Sequence, residues 1–134
     1  MKTITRFEDL HCWKAARILV KHVYLFSHNG PLANDWVTRS QLRRAALSIM
    51  NNIAEGFGRF STKDSIRFLD IAKASCNEVK SMLYLFEDIE YLPSEIIQQL
   101  HEELDSAAKL TNGFIRYLNN KLQNQIPKPP PKKN

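Results

Sequence analysis

The stretch LRRAALSIMNNIAEGFGR, residues 42–59, lies near the middle of the chain and decides its fold. It begins with paired arginines and ends on two glycines, with small apolar residues, two asparagines and one glutamate between them. Three interpretations are open: a phosphate-binding loop, a catalytic carboxylate beside a glycine turn, or a helix whose residues serve packing.

The surroundings of the glycines exclude a phosphate-binding loop. Such a loop follows a strand and has the pattern GxxxxGK, then serine or threonine, before a helix. The segment Gly56-Phe57-Gly58-Arg59 follows a helical pattern instead and lacks the lysine. The dinucleotide-binding fingerprint fails for the same reason.

The apolar residues of this stretch recur with the period of a helix. One apolar face is formed by Leu42, Ala45, Ala46, Ile49 and Ile53. A second strip beside it widens the apolar surface to more than half of the circumference, which exceeds what one surface helix needs. We therefore predict an oligomer interface on this strip. Its candidate residues are Arg43, Leu47, Met50 and Ala54.

The glutamate of this stretch is interpreted as structural. A catalytic carboxylate needs a second acid or a base nearby, and none occurs at a matching spacing. We predict that Glu55 bonds to a nearby arginine and that Gly56 caps the helix. The predicted structural motif is Asn52, Glu55, Gly56 and Gly58.

Four segments of the chain have helical periodicity, at about 7–27, 36–56 or 38–56, 62–90 and 95–122. Thr38 with Gln41 fits a capping box, Ser61 and Thr62 compete as the next cap, and Ser94 fits the last. Short connections predict an all-α, antiparallel, up-down-up-down four-helix bundle over residues 1–122. Residues 123–134 are rich in proline and lysine, which predicts a disordered tail.

Composition sets further limits. A chain of 134 residues suits one domain, and its net charge of +5 favours anionic partners if the cations cluster. No secretory signal is evident, and no apolar run approaches the ~20 residues of a membrane span, which predicts a cytoplasmic protein without membrane contact.

Chemistry-bearing residues are sparse. A di-metal centre in a bundle needs two Glu-x-x-His pairs, and Glu8 with His11 is the one pair present. Cys12 and Cys76 lie on core stripes, and no histidine has a recognisable catalytic partner. We predict no catalytic residue, no metal, no cofactor and no enzymatic activity.

The cations form three clusters. The first helix carries Lys14, Arg17 and Lys21, flanked by Trp13 and Tyr24. The other clusters are Arg39, Arg43 and Arg44, and Arg59, Lys63 and Arg67. They are candidates for neutralising phosphates, with a salt-dependent affinity. The alternative, solvated faces or ion-pair donors within the chain, stays open at this point.

Three segments carry a resemblance to a known family. They are FEDLHCWKAARIL, SQLRRAALSIMNNIAEGFGR and SIRFLDIAKASCNEVKSML, and they resemble the four-helix bundle proteins of the 23S rRNA intervening-sequence family. That family typically reads F-x-x-L-x-x-W-x-x-A early and Q-L-R-R-A-x-x-S-I-x-x-N-I-A-E-G-x-G-R centrally. The resemblance covers about 7–92. Ala74 replaces a common glycine, and Met50 replaces a common proline, which implies an unkinked second helix.

The resemblance implies a ring, commonly a homopentamer. A related branch, the accessory variability determinant proteins of diversity-generating retroelements, forms basic pentameric barrels that bind a reverse transcriptase and nucleic acid. The expected function is therefore a non-catalytic bacterial ring protein that binds RNA, DNA, a ribonucleoprotein or a reverse transcriptase through its basic surface. The alternative is a protein–protein adaptor or structural oligomer with no nucleic-acid ligand.

Overall fold

The computed structural model describes residues 3–125 and residue 131. A single 3-10 turn, Phe7–Asp9, precedes five helices. The helices are α1 (His11–Phe26), α2 (Gly30–Asn34), α3 (Trp36–Gly56), α4 (Thr62–Asp88) and α5 (Ser94–Gln125). The described residues contain no strand, so the all-helical prediction is confirmed.

The four long helices pack around one apolar core. Helix α1 packs on α3 and α5, and α4 packs on the same two helices. The helices thus occupy the corners of a square in the order α1, α3, α4, α5. Each contributes fully buried side chains to the core, for example Leu19, Ile49, Leu83 and Leu100.

The connection between α1 and α3 contains the short helix α2, which the sequence analysis did not predict. Gly30 begins α2 with a φ of +79°, in the left-handed region. Proline fits the first turn of α2 because that position needs no N–H donor. The fully buried Leu32 attaches α2 to the core.

The predicted capping box at Thr38 is wrong. Because α3 begins at Trp36, the Thr38 N–H is one of the unsatisfied donors of the first turn. It donates to Oδ1 of Asp35 at 3.1 Å, which makes Asp35 the N-cap. The Tyr91 hydroxyl donates to Oδ2 at 2.7 Å. This bond and then the Thr38 N–H lower the pKa of Asp35.

The ends of α4 and α5 differ slightly from the predicted ones. Ser61 is the N-cap of α4, since its Oγ accepts from the Asp64 N–H at 3.0 Å. Helix α4 ends at Asp88, before the predicted Glu90, whose φ is +55°. Helix α5 begins at Ser94 and continues past the predicted 122 to Gln125. The rest of the predicted tail, except residue 131, lies outside the described residues.

The two glycines after α3 have separate structural reasons. Gly56 is the buried last residue of α3, and Phe57 caps the helix, so the predicted C-cap at Gly56 is wrong. A Cβ on Gly56 would lie 3.0 Å from Cβ of Phe68 and 3.1 Å from the Ser65 carbonyl oxygen. Gly58 has the positive φ, +72°. Gly56 therefore permits close approach to α4, and Gly58 permits the turn.

The close approach at Gly56 can be tested with a pair of substitutions. Gly56→Ala is expected to lower the free energy of unfolding by about 1–3 kcal/mol, because backbone-near atoms of α4 must shift. Gly113→Ala is the matched control: its Cβ would meet nothing within 4 Å, so it is expected to stabilise α5 by about 0.5–1 kcal/mol. Urea unfolding at one fixed protomer concentration measures both. Equal effects of the two substitutions would contradict the assignment.

Candidate nucleic-acid interface

Charge is segregated between two pairs of helices. Together α1 and α3 contain six lysines and arginines and one acidic residue, Glu55. Together α4 and α5 contain seven lysines and arginines and nine acidic residues. Since α1 and α3 are neighbours in the square, their cations form one basic side, which we call the basic face. The basic face consists of Lys14, Arg17, Lys21, Arg39, Arg43 and Arg44.

Two cations of the basic face are held by bonds within the chain. Arg39 donates from Nη1 to the Ala33 carbonyl at 3.0 Å. Arg43 donates from Nε to Ser27 Oγ at 2.9 Å and from Nη2 to the Tyr24 carbonyl at 3.3 Å. Its guanidinium carbon lies 4.5 Å from the centre of the Tyr24 ring. A guanidinium has five N–H donors, so both arginines keep donors for a ligand.

The other four cations of the basic face are exposed. Within the described residues, Lys14, Arg17, Lys21 and Arg44 form no ion pair. Arg17 lies 5.6 Å from the centre of the Trp13 ring. Helix α1 contains no acidic residue that could neutralise its three cations. Within residues 3–125, therefore, these four side chains are not ion-pair donors.

The third predicted cluster lies apart, around the turn between α3 and α4. Arg59 pairs with Glu55 at 2.6 Å and also donates to its carbonyl at 2.8 Å. Arg67 pairs with Asp64 at 2.9 Å, while Lys63 is exposed. The carboxylates offset the charge of the two arginines, so this cluster is less electropositive than the basic face. Glu55 thus has the arginine partner that the sequence suggested.

The predicted interface strip on α3 is half-covered by its own chain. Leu47 and Met50 pack partly against the core. Ala54 lines a shallow cleft together with Phe7 from the first turn of the chain. Arg43, on the same side of α3, bonds to the end of α1. An uncovered strip was the reason for expecting an interface here, and in this fold the strip is only half-exposed.

Exposed apolar residues concentrate elsewhere, first along the junction of α1 and α5. His22 donates from Nδ1 to Glu103 Oε1 at 2.5 Å and so marks where the two helices meet. Apolar side chains follow this contact at spacings of three, four and seven residues and are 38–61% exposed. We call this set the α1–α5 seam; it consists of Ile18, Leu25, Leu110 and Tyr117.

A second set follows the junction of α3 and α4. Ser75 donates from Oγ to Ser48 Oγ at 2.8 Å and marks this contact. The apolar side chains along it are 41–58% exposed. We call this set the α3–α4 seam; it consists of Val37, Ile71, Leu85 and Ile89. The two seams lie on opposite sides of the square, and neither coincides with the basic face.

Polar contacts inside both seams escaped the sequence analysis. Asn52 donates from Nδ2 to the Ser48 carbonyl at 2.8 Å and to Ser48 Oγ at 3.0 Å, and the second bond extends the serine pair. Glu103 also accepts from Gln99 at 3.2 Å, and its Oε2 is buried without a hydrogen-bond partner. Ser75 and Glu103, the partners of Ser48 and His22, lie on other helices, so no local pattern marks these two contacts.

The described residues offer little for catalysis. Burial raises the pKa of both cysteine thiols, Cys12 and Cys76, to about 11, so they are protonated at neutral pH. In the described part of the chain, no group of three or more His, Cys, Asp or Glu side chains is placed to hold a metal ion. Among the same residues, no helix is both long and apolar enough to cross a bilayer.

Comparison with known proteins identifies the class and then the family. A crystal structure of a protein with unknown function from the S23 ribosomal protein family of Bacteroides thetaiotaomicron is similar, with a TM-score of 0.71 and 25% sequence identity. The match covers 78% of this chain and 98% of that chain, so the fold is that of a small helical protein of this class. No curated protein matches the chain.

The family model described as 23S rRNA-intervening sequence protein matches residues 8–113. The chain belongs to that family, and the match continues into α5, beyond the resemblance seen in the sequence.

The different roles of the paired arginines can be tested by substitution. Arg43→Ala is expected to lower the free energy of unfolding by about 1–2 kcal/mol, because two hydrogen bonds and the contact with Tyr24 are lost. Arg44→Ala is the control and is expected to stay within about 0.5 kcal/mol of wild type. Chemical denaturation measures both. A larger loss for Arg44→Ala than for Arg43→Ala would contradict the assignment.

Proposed function

We propose that this protein is a non-catalytic, cytoplasmic, ring-forming four-helix bundle that binds nucleic acid, RNA in the first place, through the basic face. The observation that carries the proposal is the segregation of charge, six cations against one carboxylate on α1 and α3. A one-sided field of this kind attracts a polyanion and orients it toward one pair of helices.

The exposed cations supply the chemistry of binding. Lys14, Arg17, Lys21 and Arg44 have no partner charge in the described chain, so contact with phosphates costs no existing ion pair. Each neutralised phosphate releases about 0.7–0.9 counterion, which makes the affinity fall as salt rises. Arg39 and Arg43, fixed by their bonds to the chain, add donors in set positions.

The two seams support association of copies into a ring. In our proposal the helices alternate in direction, and the α1–α5 seam of one copy packs on the α3–α4 seam of the next. A contact between unlike surfaces leaves one seam free at each end, so copies add until the ring closes. The homopentamer implied by the family resemblance is one such ring. Because the seams occupy opposite sides of the square, the basic face stays uncovered in it.

An adaptor or structural oligomer without a nucleic-acid ligand is the second candidate. The exposed apolar side chains of the seams favour it, since such surfaces are typical of protein contacts. In that case the seams bind another protein, such as a reverse transcriptase or a ribonucleoprotein component, and the cations serve solubility. The two candidates differ in whether the purified protein binds RNA at low salt.

The basic face can be tested by two triple variants with the same change in net charge. Replacing Lys14, Arg17 and Lys21 by glutamine is expected to weaken RNA binding and to reduce the salt slope of log K by about 2, since three contacts are lost. The control replaces Lys109, Arg116 and Lys121 on α5 by glutamine and is expected to leave the slope unchanged. Anisotropy titrations of a labelled RNA over a salt series give both slopes. Equal effects of the two variants, or no RNA binding by wild type at low salt, would contradict the proposal.

The pairing of unlike seams can be tested with one blocked seam per copy. Leu25→Glu blocks the α1–α5 seam, Leu85→Glu blocks the α3–α4 seam, and each variant alone is expected to be a monomer by light scattering. A mixture of the two is expected to give a one-to-one dimer, because each copy retains the seam that the other needs.

Asn77→Glu, on an exposed part of α4 outside the seams, is the control and is expected to keep the wild-type mass. A monomeric wild type would refute the ring. If a seam instead pairs with the same seam of another copy, a variant that retains this seam would still form dimers by itself, which would contradict the pairing of unlike seams.

A further inference from the structure

Trp36 is an aromatic side chain that the described bundle leaves largely exposed. It is the first residue of α3 and is 67% exposed, more than any other large apolar side chain of α1 or α3. An exposed large apolar residue is informative because burial of its ring would be favourable. The other tryptophan, Trp13, is half-buried and packs on Phe7 with ring centres 5.1 Å apart.

The position of Trp36 places it on the basic face. Arg39 and Arg43 follow it at three and seven residues, so the three side chains lie along the same side of α3. That side faces α1, because Arg43 bonds to Ser27 and Tyr24. The indole thus lies at one end of a row that continues with two arginines.

The nearest carboxylate in the sequence does not bond to this row. Asp35 precedes Trp36, and its two oxygens accept from the Thr38 N–H and the Tyr91 hydroxyl. Arg39 and Arg43 are held by carbonyl and hydroxyl oxygens instead, so they keep their full charge. The row combines an exposed ring with two oriented cations, neither of which forms an ion pair with a described residue.

We propose that Trp36 is a stacking platform for an unpaired base, so that the basic face binds nucleic acid that is single-stranded at this point; this inference rests on the proposed function. A base inside a duplex is stacked on its neighbours and offers no free face, whereas an unpaired base stacks on an aromatic side chain. The phosphates on either side of such a base lie within reach of cations such as Arg39 and Arg43. A purely electrostatic face needs no exposed indole.

The test compares a short oligouridylate with a duplex RNA of the same length at low salt. Trp36→Ser is expected to weaken binding of the single strand by about ten-fold or more and to leave duplex binding unchanged. Trp36→Phe, which keeps a ring, is expected to retain most of the affinity. Phe60→Ser is the matched control, because Phe60 is fully exposed but lies in the turn after α3; it is expected to bind as wild type.

A second readout follows the indole directly. In a Trp13→Phe background, Trp36 is the remaining tryptophan, and the oligouridylate is expected to quench its fluorescence. Circular dichroism and light scattering of Trp36→Ser establish that the helices and the mass of the assembly are those of wild type.

The outcomes separate this inference from the proposed function. No binding of either RNA by wild type would overturn both. Equal affinity of Trp36→Ser and wild type for the oligouridylate, with the α1 triple variant still impaired, would overturn stacking and leave the basic face in place. A changed mass of Trp36→Ser would overturn stacking too, because Trp36 would then contact a second copy or another part of the assembly.

Discussion

Helix α3 is packed on two sides, and this constraint orients the rest of the molecule. On one side Gly56 brings its last turn against α4, where a Cβ would come within 3.1 Å of the Ser65 carbonyl. The Ser75–Ser48 hydrogen bond fixes the same junction further along. On the other side Arg43 bonds to the end of α1. With both junctions occupied, the rotation of α3 is set, and its cations come to lie beside those of α1.

The square of helices keeps two kinds of surface apart. The excess of cations over carboxylates lies on α1 and α3, while exposed apolar side chains follow the α1–α5 and α3–α4 junctions. In the proposed function, association through apolar burial and attraction of an anion therefore use different sides of the molecule. This separation matters because a cation buried between copies would be desolvated and lost to a ligand.

Local patterns in the sequence predicted the helices well and their ends less well. The core stripes of α1, α3, α4 and α5 follow from a period that each helix carries by itself. The wrong predictions concern the two ends of α3, where a neighbouring residue takes the role that the local motif predicted. Thr38 matched a capping box, but the helix begins two residues earlier and Asp35 takes the cap. Gly56 matched a C-cap glycine, but its small size serves contact with α4, and Gly58 takes the left-handed φ.

By itself, the sequence determined the number and approximate positions of the long helices, their buried stripes, the family and the identity of the six cations on α1 and α3. These properties depend on the order of residues within one helix and on the fixed geometry of its turns. Only the tertiary structure decided which of those cations bond to other described residues, which do not, and where the apolar seams lie. Arg43 with Ser27, Ser48 with Ser75 and His22 with Glu103 are contacts between helices. They depend on which helices are neighbours and how each is rotated, and both are set by the packing of the shared core.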